Sequence, residues 1–100
     1  MKQSEISKII EQEINGNWSL SNLHGVDLRK CLVEPVKQVF VDSFNEGKII
    51  QLWLVLEEVP EDKSGYKIIF DEGTRMFGLA TSNGVLIGFH GTFIKTLESM

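Results

Sequence analysis

Ile49 to Val59, IIQLWLVLEEV, is an almost unbroken apolar run, too short to span a membrane and rich in residues that suit a pleated, half-buried surface. Side chains alternate along a strand, so Ile50, Leu52, Leu54 and Leu56 face one way while Ile49, Trp53, Val55 and Val59 face the other. Both faces call for burial, which makes this the central strand of a sheet. The run turns acidic at Glu57 and Glu58, so its end emerges at an edge or rim. If Trp53 and Val55 are exposed, they belong to an interface, because a large apolar patch marks a binding surface; if they are buried, the acidic end is the better place to look.

The flanking segments read as antiparallel neighbours. Before the run, Pro35 cannot donate to a ladder and belongs at a strand start, an edge or a bulge. Val36 to Phe44 then predicts a strand with Val36, Phe40 and Phe44 on one face and Val39 and Val41 on the other, joined to the central run by the turn Asn45-Glu46-Gly47-Lys48. After the run, Pro60 to Gly65 is a polar turn cluster too short for a crossover helix, so the next strand, Tyr66 to Phe70, must run antiparallel. Asp71-Glu72-Gly73 turns the chain into a strand from Met76 to Thr81, and Ser82-Asn83-Gly84 leads to a return strand from Val85 to Phe89. Asn-Gly there predicts a type I′ turn with two positive φ angles. Gly78 and Gly88 flank this hairpin and predict a groove over which an aromatic side chain lies, or which a ligand occupies.

Helices bracket the strands. From Ser4 to Ile14, Ile6, Ile9, Ile10 and Ile14 share one helical face, with Ser4 as the expected N-cap, Glu5 in the first turn and Asn15-Gly16 as the stop. Alone this helix is marginal, and it persists only by packing on the sheet. Asn17 to Asp27 reads as an ordered connection anchored by Trp18, with a short strand or helix open around Leu28 to Val33. Thr92 to Ser99 predicts a short helix capped by Thr92 and docked through Phe93, Ile94 and Leu97. The expected fold is therefore a single α+β domain over residues 1 to 100: an N-terminal helix, an antiparallel sheet of about five strands in a meander, and a short C-terminal helix.

Composition narrows the function classes. A hydrophobic fraction of 42% with 24% charged residues is ordinary for a globular protein and argues against disorder or a fibrous class. The lone Cys31 cannot form an internal disulfide and fits a reducing compartment. Glutamates interrupt the isoleucines of the N-terminus, so it lacks the apolar core of a secretory signal, and no stretch is long enough to cross a bilayer. A cytoplasmic address with no membrane partner follows. The net charge of -4 argues against a nucleic-acid partner, since phosphate contacts require clustered Lys and Arg, and suits a basic partner better.

The familiar catalytic signatures are missing: no Gly-rich phosphate loop with its lysine, no GxSxG elbow, no paired Cys or His at metal spacing. The expectation is a protein that is not an enzyme and carries no cofactor or metal. His24 and His90 are the residues from which a base, switch or ligand would be built, against the simpler reading of hydrogen-bonded histidines. Cys31 beside Leu32 and Val33 reads as a small buried residue. The candidate partner-binding residues are acidic: Glu57, Glu58, Glu61 and Asp62 around the turn after the central strand, and Asp71 and Glu72 at the turn after the next. These turns fall at opposite ends of the strand between them. Asp71 and Glu72 could also serve as metal ligands or an acid–base pair, although carboxylates in such a turn are commonly turn formers.

The stretches WLVLEE (Trp53 to Glu58), GYKIIFDE (Gly65 to Glu72), FGLA (Phe77 to Ala80) and GFHGTFIKTLESM (Gly88 to Met100) resemble a pattern of small bacterial proteins, among them immunity proteins of polymorphic or contact-dependent toxin systems. The resemblance covers roughly Leu52 to Met100 and rests mostly on core and turn residues. It implies tight, non-catalytic binding to a cognate toxin domain, such as a basic nuclease. The alternative is an interaction module or homodimeric subunit of another assembly, pairing through an exposed sheet edge, with a small-molecule enzyme built on His90 and Asp71 or Glu72 as a third reading. Whether the chain is a monomer or a homodimer stays open at this level.

Overall fold

The computed structural model describes every residue from Met1 to Met100. Its elements in order are α1 (Gln3–Ile14), α2 (Leu28–Cys31), β1 (Leu32–Asp42), β2 (Lys48–Val59), β3 (Ser64–Asp71), β4 (Met76–Ala80), β5 (Val85–Gly91) and α3 (Phe93–Ser99). This is the α+β class with the expected helix, five-strand meander and terminal helix. Each strand pairs antiparallel with the next, and β2 lies between β1 and β3. The sheet also closes on itself, since β1 and β5 pair in parallel at Val41 with Val85 and Asp42 with Leu86.

Closure explains how β2 is covered on both faces. The barrel interior takes one buried residue from each strand, Phe40, Leu52, Ile69, Ala80 and Leu86, with Ile50 and Phe89 packed against them. The opposite faces of β2, β3 and β4 contribute Trp53, Val55, Phe70, Phe77 and Leu79 to a larger core with Ile6, Ile10 and Ile14 of α1 and Phe93 and Leu97 of α3. A small antiparallel barrel filled by its own side chains, with helices over one side, buries both faces without a second sheet.

Several local expectations are corrected. Helix α1 begins at Gln3 with Lys2 at the N-cap position, so Ser4 lies in the first turn and is not the cap; the Glu5 carboxylate reaches back to the Lys2 N–H at 3.4 Å. The helix stops where expected, with Asn15 and Gly16 at φ 49° and 79°. Leu28 to Cys31 resolves as a short helix capped by Asp27, whose carboxylate accepts the Arg29 N–H at 3.0 Å. Strand β1 starts at Leu32, ahead of Pro35, because Pro35 falls in a bulge where the register skips from Leu32 opposite Leu56 to Val36 opposite Leu54. It ends at Asp42, because Asp42 accepts the backbone N–H groups of Phe44, Asn45 and Gly47 and turns the chain. Phe44 is consequently an exposed turn residue and not a member of the strand face.

A second bulge, between the pairs Leu54–Ile69 and Leu56–Ile68, adds a residue to β2 and moves Leu56 into the helix-side core beside Val55. The simple alternation that put Leu56 with Leu52 therefore fails in the last third of the strand. The β4–β5 connection is also not a type I′ turn: Gly84 alone takes a positive φ, 83°, while Gly84 N–H donates to Thr81 O at 3.0 Å. That is a three-residue loop with glycine in the left-handed position. Helix α3 is capped by Thr92, which accepts the Lys95 N–H at 3.1 Å, and Glu13 of α1 accepts the N–H groups of Phe93 and Ile94 at 3.0 and 3.2 Å. One carboxylate thus ties the two terminal helices and meets the positive end of α3.

The expected groove at Gly78 is filled by an aromatic ring. A Cβ at Gly78 would lie 2.5 Å from Gly88 O and 3.0 Å from Phe89 Cδ1, whereas one at Gly88 would meet nothing within 4 Å. Replacing Gly78 by Ala must push backbone, and should cost about 1–3 kcal/mol in urea denaturation. Gly88→Ala should stay within about 0.5 kcal/mol of the parent, since it meets open space and reduces the freedom of the unfolded chain.

Candidate partner-binding site

Strand β2 leaves the core at Glu57-Glu58-Val59, and the chain turns through Pro60 to Lys63 into β3. The turn is tight, with positive φ at Lys63 (58°) and Gly65 (76°). Gly65 is required twice over, because a Cβ there would also fall 2.6 Å from Glu58 Oε1. Glu58 organises this end. Its Oε1 accepts the Tyr66 N–H at 2.9 Å and its Oε2 lies 2.7 Å from His24 Nδ1, while the His24 ring stacks on Tyr66 at 5.9 Å. Asn22 holds the His24 loop in place, accepting the N–H groups of His24 and Val26 and donating to Leu97 O.

Glu57, next in sequence, is placed differently. It pairs across the strands with Lys67, whose other neighbour Ala80 belongs to the barrel interior, so it shares the inner side of the sheet. Only 8% of Glu57 is exposed, and its Oε2 has no hydrogen-bond partner, one of two buried polar side-chain atoms in that condition along with Trp53 Nε1. Glu61 is exposed in the turn, and Asp62 caps it by accepting the Ser64 N–H at 2.9 Å. Hydrogen bonds from Ser64 hold the Asp62 carboxyl below its ordinary value.

Cys31 reports how these acids converge. Burial pushes its thiol up, a backbone hydrogen bond at Asp27 partly offsets this, and the negative charges of Asp27, Glu61 and Glu58 push it further. Three carboxylates therefore act on one point. The thiol is buried and hydrogen-bonded to Glu58 O at 3.4 Å, as a small core residue would be. Asp27, far from Glu58 in the sequence, was not among the expected residues; a helix cap gives no sign of which turn it will face. Trp53 and Val55 are buried, 7% and 0% exposed, which turns attention to this acidic end.

Asp71 and Glu72 stand at the other end of β3, apart from this cluster. Asp71 accepts from the Gly73 N–H and the Thr74 hydroxyl at 3.1 and 2.9 Å, which is turn-forming work. Glu72 lies 3.0 Å from Lys37 Nζ and 3.1 Å from the Met1 ammonium. Lys37 sits in turn 5.3 Å over the Trp53 ring. His90 forms no hydrogen bond with either acid, and no three His, Cys, Asp or Glu side chains gather as a metal site. No helix is long and apolar enough to cross a membrane.

Hydrogen bonds from Lys37 and from the terminal ammonium hold the Glu72 carboxyl below its ordinary value. A lowered folded-state value means that this tie contributes its full stability above the ordinary carboxylate pKa, about 4.3, and loses it as pH falls through the depressed value. Glu72→Gln should therefore lower the thermal midpoint near neutral pH, with the difference from the parent shrinking as the solution is acidified below about pH 4. A difference that stays constant with pH would mean that the pair contributes no linked stability.

No family model matches this sequence, and no curated protein or solved structure is similar enough to match it.

Proposed function

We propose that this chain is a non-catalytic binding protein of the immunity type, which neutralises a cognate bacterial toxin domain by direct contact through the β2–β3 end. The observation that supports this reading is uncompensated charge. The Lys37 and terminal-ammonium ion pairs engage Glu72, and His24 hydrogen-bonds Glu58, while no cation or histidine engages the exposed Glu61 or Asp62. A surface with unpaired carboxylates such as Glu61 and Asp62 steers a basic partner and speeds association. Asp71 and Glu72 are occupied in a turn and an ion pair, so the contact is assigned to the other end of β3. On this reading the chain works in a bacterial cytoplasm, where its single thiol stays reduced.

Where the gene immediately upstream encodes a large secreted protein with a variable C-terminal toxin domain, that domain is the partner to test. Glu61→Lys with Asp62→Lys alters two exposed positions and should slow association at low salt by about tenfold or more, measured by stopped-flow or surface resonance. Unchanged kinetics in this variant, with folding checked by circular dichroism, would remove this end from the interface.

A second reading, a homodimeric subunit, is favoured by the uncovered outer face of β1, β2 and β5. Val41 lies beside Ile49 on one side and Val85 on the other, and Val39 (59% exposed) and Ile49 (74%) face solvent. Light scattering after gel filtration should show a dimer that Ile49→Lys dissolves if this face is the contact; a monomer at all concentrations dismisses it.

A further inference from the structure

A cleft of about 380 Å³ opens beside α1, and its walls come from α1, the Trp18 connection, α2 and the start of β1. Its apolar surface is supplied by Ile10, Trp18, Leu28, Leu32 and Val33. That size and lining are those of a small-molecule site, in which an apolar body is buried and one or two polar groups set its orientation. The polar side chains at hand are Arg29, Glu11 and Ser7.

Arg29 is the feature that selects a ligand. Its guanidinium lies 5.0 Å over the Trp18 ring, and its backbone N–H is fixed by the Asp27 cap. None of the molecule's ion pairs involves it. A guanidinium held over an indole and engaged in no ion pair keeps N–H donors for a ligand, and these match a carboxylate in a bidentate fork. Glu11, on the α1 wall, contributes an opposing negative charge that disfavours a dianion such as a phosphate monoester.

The geometry points to a binding site for a small aromatic monocarboxylate, its ring packed against Trp18 and the aliphatic floor and its carboxylate held by Arg29. The cleft shares α2 with the β2–β3 end, where Cys31 bonds to Glu58 O, but its ligand chemistry does not depend on a protein contact there. Trp18 and Arg29 carry the recognition together: Trp18 orients the guanidinium and offers apolar surface, and Arg29 discriminates charge.

The protein's two tryptophans make the test direct, because Trp18 lines the cleft and Trp53 is buried beneath Lys37. The full chain, labelled with ¹⁵N, is titrated with 2-naphthoate and, separately, with neutral 2-naphthamide. Naphthoate should shift the Trp18 indole N–H and the amides of Leu28 to Val33 while leaving the Trp53 indole in place, and should bind roughly tenfold more tightly than the amide. Arg29→Gln should bring naphthoate down to the amide's affinity with an otherwise native spectrum, and Glu11→Gln should tighten naphthoate by about two- to fivefold. Absence of a Trp18 shift up to about 5 mM ligand, equal affinity for acid and amide, or an Arg29→Gln variant that binds naphthoate as the parent does would each overturn the assignment.

Discussion

Burial of β2 on both faces is the constraint from which the rest of the structure follows. Leu52 and Leu54 need cover on one side and Trp53 and Val55 on the other, and all four are nearly inaccessible to solvent. In a chain of 100 residues there is no second sheet to provide it. The solution is to curl the meander until β1 meets β5, which makes one face of every strand an interior, and to lay α1 and α3 over the other face. The bulges on β1, β2 and β5 belong to the same solution, since a closed sheet of few strands must bend sharply.

The helix layer does not reach everywhere, and its limits decide what is exposed. It covers Trp53 and Val55 and stops short of Ile49, Val39 and Val41, which lie toward the closed end of the barrel. Long-range polar ties hold the layer in register: Glu13 caps α3, Asn22 binds Leu97 O, and Gln3 donates to Pro35 O at 2.6 Å. Each joins elements distant in sequence, so the layer packs in one orientation. Such ties to charged or buried groups outweigh exposed ion pairs in stability and specificity.

Charge and apolar surface are segregated along the molecule. The acidic β2–β3 end, with Asp27, Glu58 and Glu61 acting together on Cys31, lies at the far end of β2 from the exposed valines and Ile49. Within that end the carboxylates are not equivalent. Glu58 and Asp62 are engaged in shaping the turn, Glu61 is free, and Glu57 is buried with one oxygen unpaired. An unpaired buried carboxylate oxygen is unfavourable for folding alone, and such groups persist most readily where something other than stability maintains them.

Element type and order were legible in the sequence because they rest on local signals: the isoleucine periodicity of α1, the Thr92 cap, the polar turn clusters, and the glycine that gives way to Phe89. The acidic end was legible too, as adjacent letters. What periodicity could not register was any event that adds a residue without a signature of its own, such as the bulge that moves Leu56 to the other core, or any strand pairing that turns carry no information about, such as β1 with β5. For the same reason the partners of Glu58, Glu72 and Arg29, contributed by His24, Lys37 and Trp18, emerge only when the chain is folded. Local hydrogen bonding and hydrophobic patterning act between neighbours and determine the elements; barrel closure and helix docking act between residues far apart in sequence, and they alone decided which faces are buried and which charges are left unpaired.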